Sequence, residues 1–206
     1  MEQRSEEWFA ARLGKVTGSR VADLSAKTKS GYSASRANYM AELICEILTG
    51  SQAERFSNAA MQWGTDQEPM ARAAYEFLHA VSVVETGFVV HPVITGFGAS
   101  PDGLVGDNGL IEIKCPNTAT HIETLLGETV PSKYFTQMQA QMACTGRAWC
   151  DFVSFDPRLP EDMQMWVKRV PRDDQFIADM EAEIIGFLSE LNQKLDALRA
   201  RYQEAA

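Results

Sequence analysis

The chain has 206 residues, 45% of them hydrophobic, 9% aromatic and 23% charged, with a formal net charge of −9 at pH 7. That length is enough for one domain with a buried core, and the balance excludes a disordered chain, a collagen-like repeat and a disulfide-stapled mini-protein. No apolar run approaches the ~18–20 residues needed to cross a bilayer, and the charged amino terminus lacks the apolar stretch of a signal peptide, so a cytoplasmic protein with reduced cysteines and no membrane partner is expected.

Residues 2–80 read as helices. Trp8, Phe9 and Leu13 recur at helical spacing, as do Tyr39, Met40, Leu43, Ile44, Ile47 and Leu48, which run up to the stop signal of Gly50. A further helix fits 59–80, with Met70, Ala73, Ala74, Phe77 and Leu78 on one stripe. From 81 to 114 the period falls to two and β-branched residues dominate, which predicts a strand meander. Residues 132–145 read as a helix, and 149–155 and 163–170 as strands. The last helix, 173–201, opens after Pro171 with Asp173 and Asp174 at its positive end. Its stripe is Phe176, Met180, Ile184, Phe187, Leu188, Leu191, Leu195 and Leu198. Helices flanking a central mixed sheet make an α/β (α+β) domain, expected to be a single unit over 1–206.

The charges are unevenly spread. From Arg12 to Arg36 six basic residues stand against Asp23 alone, whereas from Asp173 to Ala206 eight acids stand against three bases. A basic segment lining the path of a polyanion, with the acidic helix facing away, is one expectation; two solvated faces of opposite sign is the plainer one. Lys168, Arg169 and Arg172 are candidates for the same basic surface.

The informative stretch is Ser100-Pro101-Asp102-Gly103, followed after nine intervening residues from Asp102 by Glu112-Ile113-Lys114. Side chains alternate along a strand, so Glu112 and Lys114 share one face while Ile113 packs on the other. An Asp arriving from the preceding turn joins them, giving two carboxylates and one ammonium together. Hard oxygen ligands of that number suit Mg²⁺ or Mn²⁺ beside a substrate phosphate. Such a group supports metal-assisted phosphodiester hydrolysis. A Glu–Lys pair on a strand face is by itself commonplace, worth tenths of a kcal/mol; the Pro-Asp-Gly turn upstream gives it weight. Asp107, in Asp107-Asn108-Gly109, reads as a hairpin turn residue.

Together with Trp8, Arg12-Leu13-Gly14, Thr17-Gly18-Ser19, Trp63-Gly64 and Glu68, the motifs Ser100-Pro101-Asp102-Gly103 and Glu112-Ile113-Lys114-Cys115-Pro116 resemble the phage lambda-type alkaline exonucleases. These are YqaJ-like viral recombinases of the PD-(D/E)xK nuclease superfamily, and the likeness runs from Trp8 to the terminal helix. The resemblance implies a restriction-endonuclease-like core and a Mg²⁺-dependent enzyme, two ions per site with Mn²⁺ able to substitute. Such an enzyme degrades one strand of linear double-stranded DNA from its 5′ end to mononucleotides and leaves a 3′ overhang. It further implies Asp102, Glu112 and the Ile113 carbonyl as metal ligands, Lys114 acting on the attacking water, Glu68 serving a second ion or its water, and Gln137 completing the site. Arg12 and Ser19 match residues that hold the 5′ phosphate, for which a guanidinium fork and a hydroxyl are apt. A toroidal homotrimer, a single-strand annealing protein as partner, and a phage or prophage origin in a bacterial host follow from the same likeness.

Two other readings share the fold. A RecB-like nuclease holding an iron–sulfur cluster needs clustered cysteines, but Cys45, Cys115, Cys144 and Cys150 have no two-residue spacing and are assigned to packing. A non-catalytic DNA-end-binding protein would not need Asp102, Glu112 and Lys114 together.

Overall fold

The computed structural model describes residues 1–29, 31–52 and 58–202; Glu204, counted in the acidic terminal segment, lies outside them. The chain enters through α1 (Glu6–Arg12), whose first turn is capped by the Ser5 side chain accepting the Trp8 N–H. Next come β1 (Val16–Thr17), a short 3₁₀ turn over Gly18–Arg20, α2 (Val21–Ser25), and a small ribbon of β2 (Lys27–Thr28) with β3 (Gly31–Tyr32). Helix α3 (Ala34–Thr49) stops at Gly50, whose φ of 66° is the left-handed cap a glycine supplies without strain. Helix α4 (Ala59–His79) is followed by β4 (Val83–Val84), β5 (Val89–Val90), β6 (Phe97–Ala99), β7 (Gly103–Val105) and β8 (Gly109–Lys114). After α5 (Thr118–Gly127) and α6 (Ser132–Thr145), β9 (Trp149–Phe155) and β10 (Met165–Pro171) complete the main sheet, and α7 (Asp174–Tyr202) closes the described chain.

The main sheet has the order β10-β9-β8-β7-β4, so β8 is its central strand. It pairs antiparallel with β7 and parallel with β9. A parallel pair needs a long crossover, which α5 and α6 provide. A smaller sheet, β1-β6-β5, holds the residues just before Ser100. Alternation along β8 sends Leu110 into the larger core with α2, α3, α6 and α7, and sends Ile111 and Ile113 into a second core with Ala71 and Tyr75 of α4. The arrangement is the expected α/β architecture with helices on both faces of a mixed sheet.

Several predicted details change. The 2–80 region contains two-residue strands besides its helices. Helix α4 is turned about a quarter turn from the predicted stripe: Phe77 is 86% and Leu78 63% exposed, while Ala71 and Tyr75 are buried and, of the predicted stripe, Ala74 packs against them. A small alanine admits the sheet closely, and the Tyr75 hydroxyl donates to buried Asp151 at 2.7 Å, so contact geometry prevailed over the number of apolar residues. In α7 Ile177 joins the buried stripe and Leu198 lies at its edge. Helix α5 was not foreseen, although Asn117 caps it by accepting the Thr120 N–H.

The proposed separation of charge does not hold. Because α7 packs on α2 and α3, Lys27 pairs with Glu183 at 2.8 Å and Arg36 with Glu190 at 2.9 Å. Arg20 pairs with Asp23 and Glu42. Arg169 lies on Asp151 and over the Trp149 ring, and Arg172 on Asp174. At Lys27 and Arg36 the basic segment meets the acidic helix in ion pairs instead of facing away from it.

One pair makes a pH prediction. Burial alone would raise the Asp156 carboxyl, but hydrogen bonds from Arg158 and from Thr118 outweigh it and hold the group down at about 2. A carboxyl lowered by folding contributes stability above its ordinary value, and that contribution is lost as pH falls toward the folded value. Acid titration of unfolding is expected to show a flatter loss of stability between about pH 4 and pH 2 for Asp156→Ala than for the parent chain.

Candidate active site

Asp102 sits where β7 begins. The β7–β8 ladder ends at Gly103 opposite Ile111, so the Ile113 N–H has no strand partner on that side and donates instead to Asp102 Oδ2 at 2.7 Å. A strand residue's N–H and C=O point to the same edge, so the Ile113 carbonyl also faces the side that β7 has left.

Glu112, fully buried on β8, faces α6. Gln137 and Gln141, one turn apart on α6, donate to its two oxygens at 2.6 and 2.5 Å. Lys114 is ion-paired with the same Oε1 and stands near the Tyr134 ring. Burial alone would lower the Lys114 ammonium, yet Glu112 and Asp102 outweigh it and hold the group above its ordinary value, so it stays charged. Burial first, then the Glu112 charge, pushes the Asp102 carboxyl well up, against the pull of Lys114 and the Ile113 N–H. Two carboxylates crowded into a dry site are a place where added positive charge is stabilising.

Glu68 approaches from α4. Pro69 follows it and has no N–H for the Thr65 carbonyl, so the helix ladder opens beside this acid. Arg4 and Arg72 hold its two oxygens at 3.1 and 3.0 Å. Glu68, Thr65, Asp102, Ile113 and Lys114 line one cleft of about 640 Å³. Burial pushes the neighbouring Cys115 thiol up to about 12, with Glu68 adding to the shift, so it is protonated at neutral pH.

A second, smaller pocket of about 170 Å³ lies on the other side of Asp102, lined by Arg12, Ser19, Ser100, Gln137 and Gln141 among others. The Arg12 guanidinium stacks 3.9 Å from the Trp8 ring centre and donates to Ser100 Oγ at 3.4 Å; the Trp8 indole N–H donates to the same oxygen at 2.9 Å. Ser19 lies in the 3₁₀ turn ahead of α2, brought close to α6 because a Cβ on Gly18 would stand 3.0 Å from Ala99 and 3.4 Å from Ala140.

Thus Asp102, Glu112, Ile113, Lys114, Gln137 and Glu68 are brought together, with Arg12 and Ser19 next door. Trp63 and Gly64 lie within α4, inside the helix expected over 59–80, and the Trp63 ring carries the Arg158 guanidinium at 4.4 Å. Asp107 is an exposed turn residue between β7 and β8. Gln141 and Arg4 were missed; for Gln141 the signal was available, since it follows Gln137 by one helical turn. Among the described residues no three His, Cys, Asp or Glu side chains gather as a metal cluster, and no helix is long and apolar enough to cross a membrane. The oxygens that an ion at this place could use are those of Asp102, Glu112 and the Ile113 carbonyl, a hard set of the kind that suits Mg²⁺ with retained water. Cys45 is exposed on α3, whereas Cys115 belongs to one core and Cys144 and Cys150 to the other.

Residues 7–148 match the YqaJ-like viral recombinase domain family. Two crystal structures of LHK-Exo, one described as an alkaline exonuclease from Laribacter hongkongensis and one as a complex with dAMP, superpose with TM-scores of 0.92 and 0.93. Each is 58% identical over 98% of this chain and 100% of theirs. A phage-related exonuclease from Haemophilus somnus 129PT superposes with a TM-score of 0.73 over 89% of this chain and 96% of its own, at 16% identity, which shows a shared fold. No curated protein sequence matches the chain.

Proposed function

The chain belongs to the YqaJ-like viral recombinase family, and from that membership we propose that it is a Mg²⁺-dependent exonuclease. It degrades one strand of linear double-stranded DNA from the 5′ end, releasing mononucleotides and leaving a 3′ overhang for annealing-based recombination. The observation that carries this reading is the convergence of Asp102, Lys114 and Glu68 on one cleft, with the buried Glu112 ion-paired to Lys114, and with Asp102 shared with the Arg12 pocket. The likeness to LHK-Exo in complex with dAMP, a nucleoside monophosphate, agrees with release of single nucleotides.

In this reading Asp102, Glu112 and the Ile113 carbonyl hold Mg²⁺, or Mn²⁺ in its place, and Glu68 serves a second ion or its water. When bound, such ions polarise the phosphoryl oxygen and ease deprotonation of a water. The Lys114 ammonium orients the attacking water and offsets the charge that develops on the phosphate. Gln137 and Gln141 keep the Glu112 carboxylate from rotating. Arg12 and Ser19 grip the terminal phosphate, so that the next phosphodiester lies on the Lys114 side of Asp102, one nucleotide along. The membership also supports a homotrimeric ring around the duplex, checked by mass in solution, and an annealing protein as partner for the exposed strand.

The test is degradation of linear duplex labelled at the 5′ or 3′ end, in Mg²⁺ and in EDTA. Early release of 5′ label as mononucleotide, in Mg²⁺ alone, is expected; release from the 3′ end first would overturn the polarity. Removing the 5′ phosphate from the duplex is expected to slow the parent enzyme and to leave Arg12→Ala little changed, because the two alterations break one contact. Equal parent rates on phosphate and hydroxyl ends would remove Arg12 from this role.

A further inference from the structure

Resting on the nuclease reading above, we propose that Arg4 is a substrate-binding residue that exchanges Glu68 for a phosphodiester oxygen of the DNA strand entering the cleft. The amino-terminal segment is fastened at the mouth of the site. Gln3 donates its side-chain amide to the Thr86 carbonyl at 3.0 Å and to the Pro101 carbonyl, next to Asp102, at 2.7 Å. Ser5 closes a turn onto the Glu2 carbonyl and caps α1. Between these anchors Arg4 has φ 70°, a left-handed conformation uncommon for a residue with a side chain. This backbone carries the guanidinium into the cleft, where it meets Glu68 Oε2 while its side chain stays 51% exposed.

Charge gives the arrangement a direction. Asp102 and Glu68 line the cleft with Glu112 behind them, and among the described residues only Arg4 and Lys114 supply positive charge on its walls. Lys114 is engaged with Glu112. A phosphate approaching this place meets one half-exposed guanidinium whose planar fork donates to phosphate oxygens as readily as to a carboxylate. The exchange has a second effect at Glu68. Arg72 keeps Oε1, but Oε2 is released as the strand arrives, so the acid becomes available only when substrate is present.

The experiment is equilibrium binding of linear duplex in EDTA over a series of salt concentrations, with KM for degradation measured in Mg²⁺. Each phosphate contact contributes about 0.9 to the log–log salt slope. Arg4→Ala is expected to flatten the slope by about that amount and to raise KM about tenfold, the order of one charge-assisted hydrogen bond. The KM factor should be the same on 5′-phosphate and 5′-hydroxyl ends, unlike that of Arg12→Ala, because Arg4 lies in the other pocket. Arg4→Lys keeps the charge and should retain the parent slope. A parent-like slope and KM for Arg4→Ala, whatever its melting temperature, would show that the Glu68 pair is a structural tie and overturn the proposal. Binding in EDTA needs no cleavage, so a parent protein that bound but did not degrade duplex would count against the nuclease reading while the slopes still judged Arg4.

Discussion

Lys114→Ala is expected to slow single-turnover degradation of linear duplex at least about a thousandfold, roughly 4 kcal/mol of barrier at 1.36 kcal/mol per factor of ten. The ammonium is held charged by Glu112 and Asp102 at the cleft wall, where no other cation except Arg4 is at hand among the described residues. In the proposed mechanism its loss removes both the group that orients water and the charge facing the developing oxyanion. The Glu112 carboxylate keeps its two amide donors in the variant, so the fold survives and duplex is still bound in EDTA. Degradation within tenfold of the parent rate, by a variant with a parent-like circular dichroism spectrum, would move Lys114 out of the chemistry.

The second large effect is expected from Glu112→Gln, which changes one atom and no volume. Both Glu112 oxygens accept: Gln137 and Lys114 give to one, Gln141 to the other. A glutamine there must turn an –NH₂ toward donors on one side or the other, leaving a buried donor unsatisfied at about 1–3 kcal/mol. Thermal or denaturant unfolding should therefore register a loss of that order, and on the proposed reading degradation should fall to background because a neutral amide is a poor partner for the Mg²⁺ that Glu112 is proposed to hold. The pair Glu112→Gln with Gln141→Glu restores donor–acceptor matching and should regain most of the stability without regaining activity. If the single variant were as stable as the parent, the two α6 amides would not be gripping this carboxylate in solution.

Much of the site was legible because it is local. The period-two alternation of Leu110, Glu112 and Lys114 against Ile111 and Ile113 decides which face each takes, and a strand obeys it wherever its sheet stands. The stop at Gly50 and the ends of α6 and β9 were readable for the same reason: each rests on residues within a few positions. What failed was non-local. Which side of α4 faces the sheet depends on Tyr75 reaching Asp151 from 76 residues away, and a stripe of larger apolar residues gave the wrong answer. The charge runs were real, but their meaning depended on α7 packing beside α2 and α3, which put Lys27 and Arg36 into ion pairs with its acids. Gln141 illustrates the middle case. Its helical phase with Gln137 was visible, yet nothing in the sequence alone says that a buried carboxylate waits opposite both.

The way Asp102 is held differs in kind from the way Glu112 is held, and this bears on how the site tolerates genetic drift. The donor to Asp102 is a main-chain N–H, which every residue but proline would provide at position 113. Substitution there can alter packing against α4 while the grip on the acid persists. Glu112 instead depends on three particular side chains, Gln137, Gln141 and Lys114, so a single codon change at any one of them removes part of its support. One acid of the pair is anchored by the polymer itself and the other by its sequence.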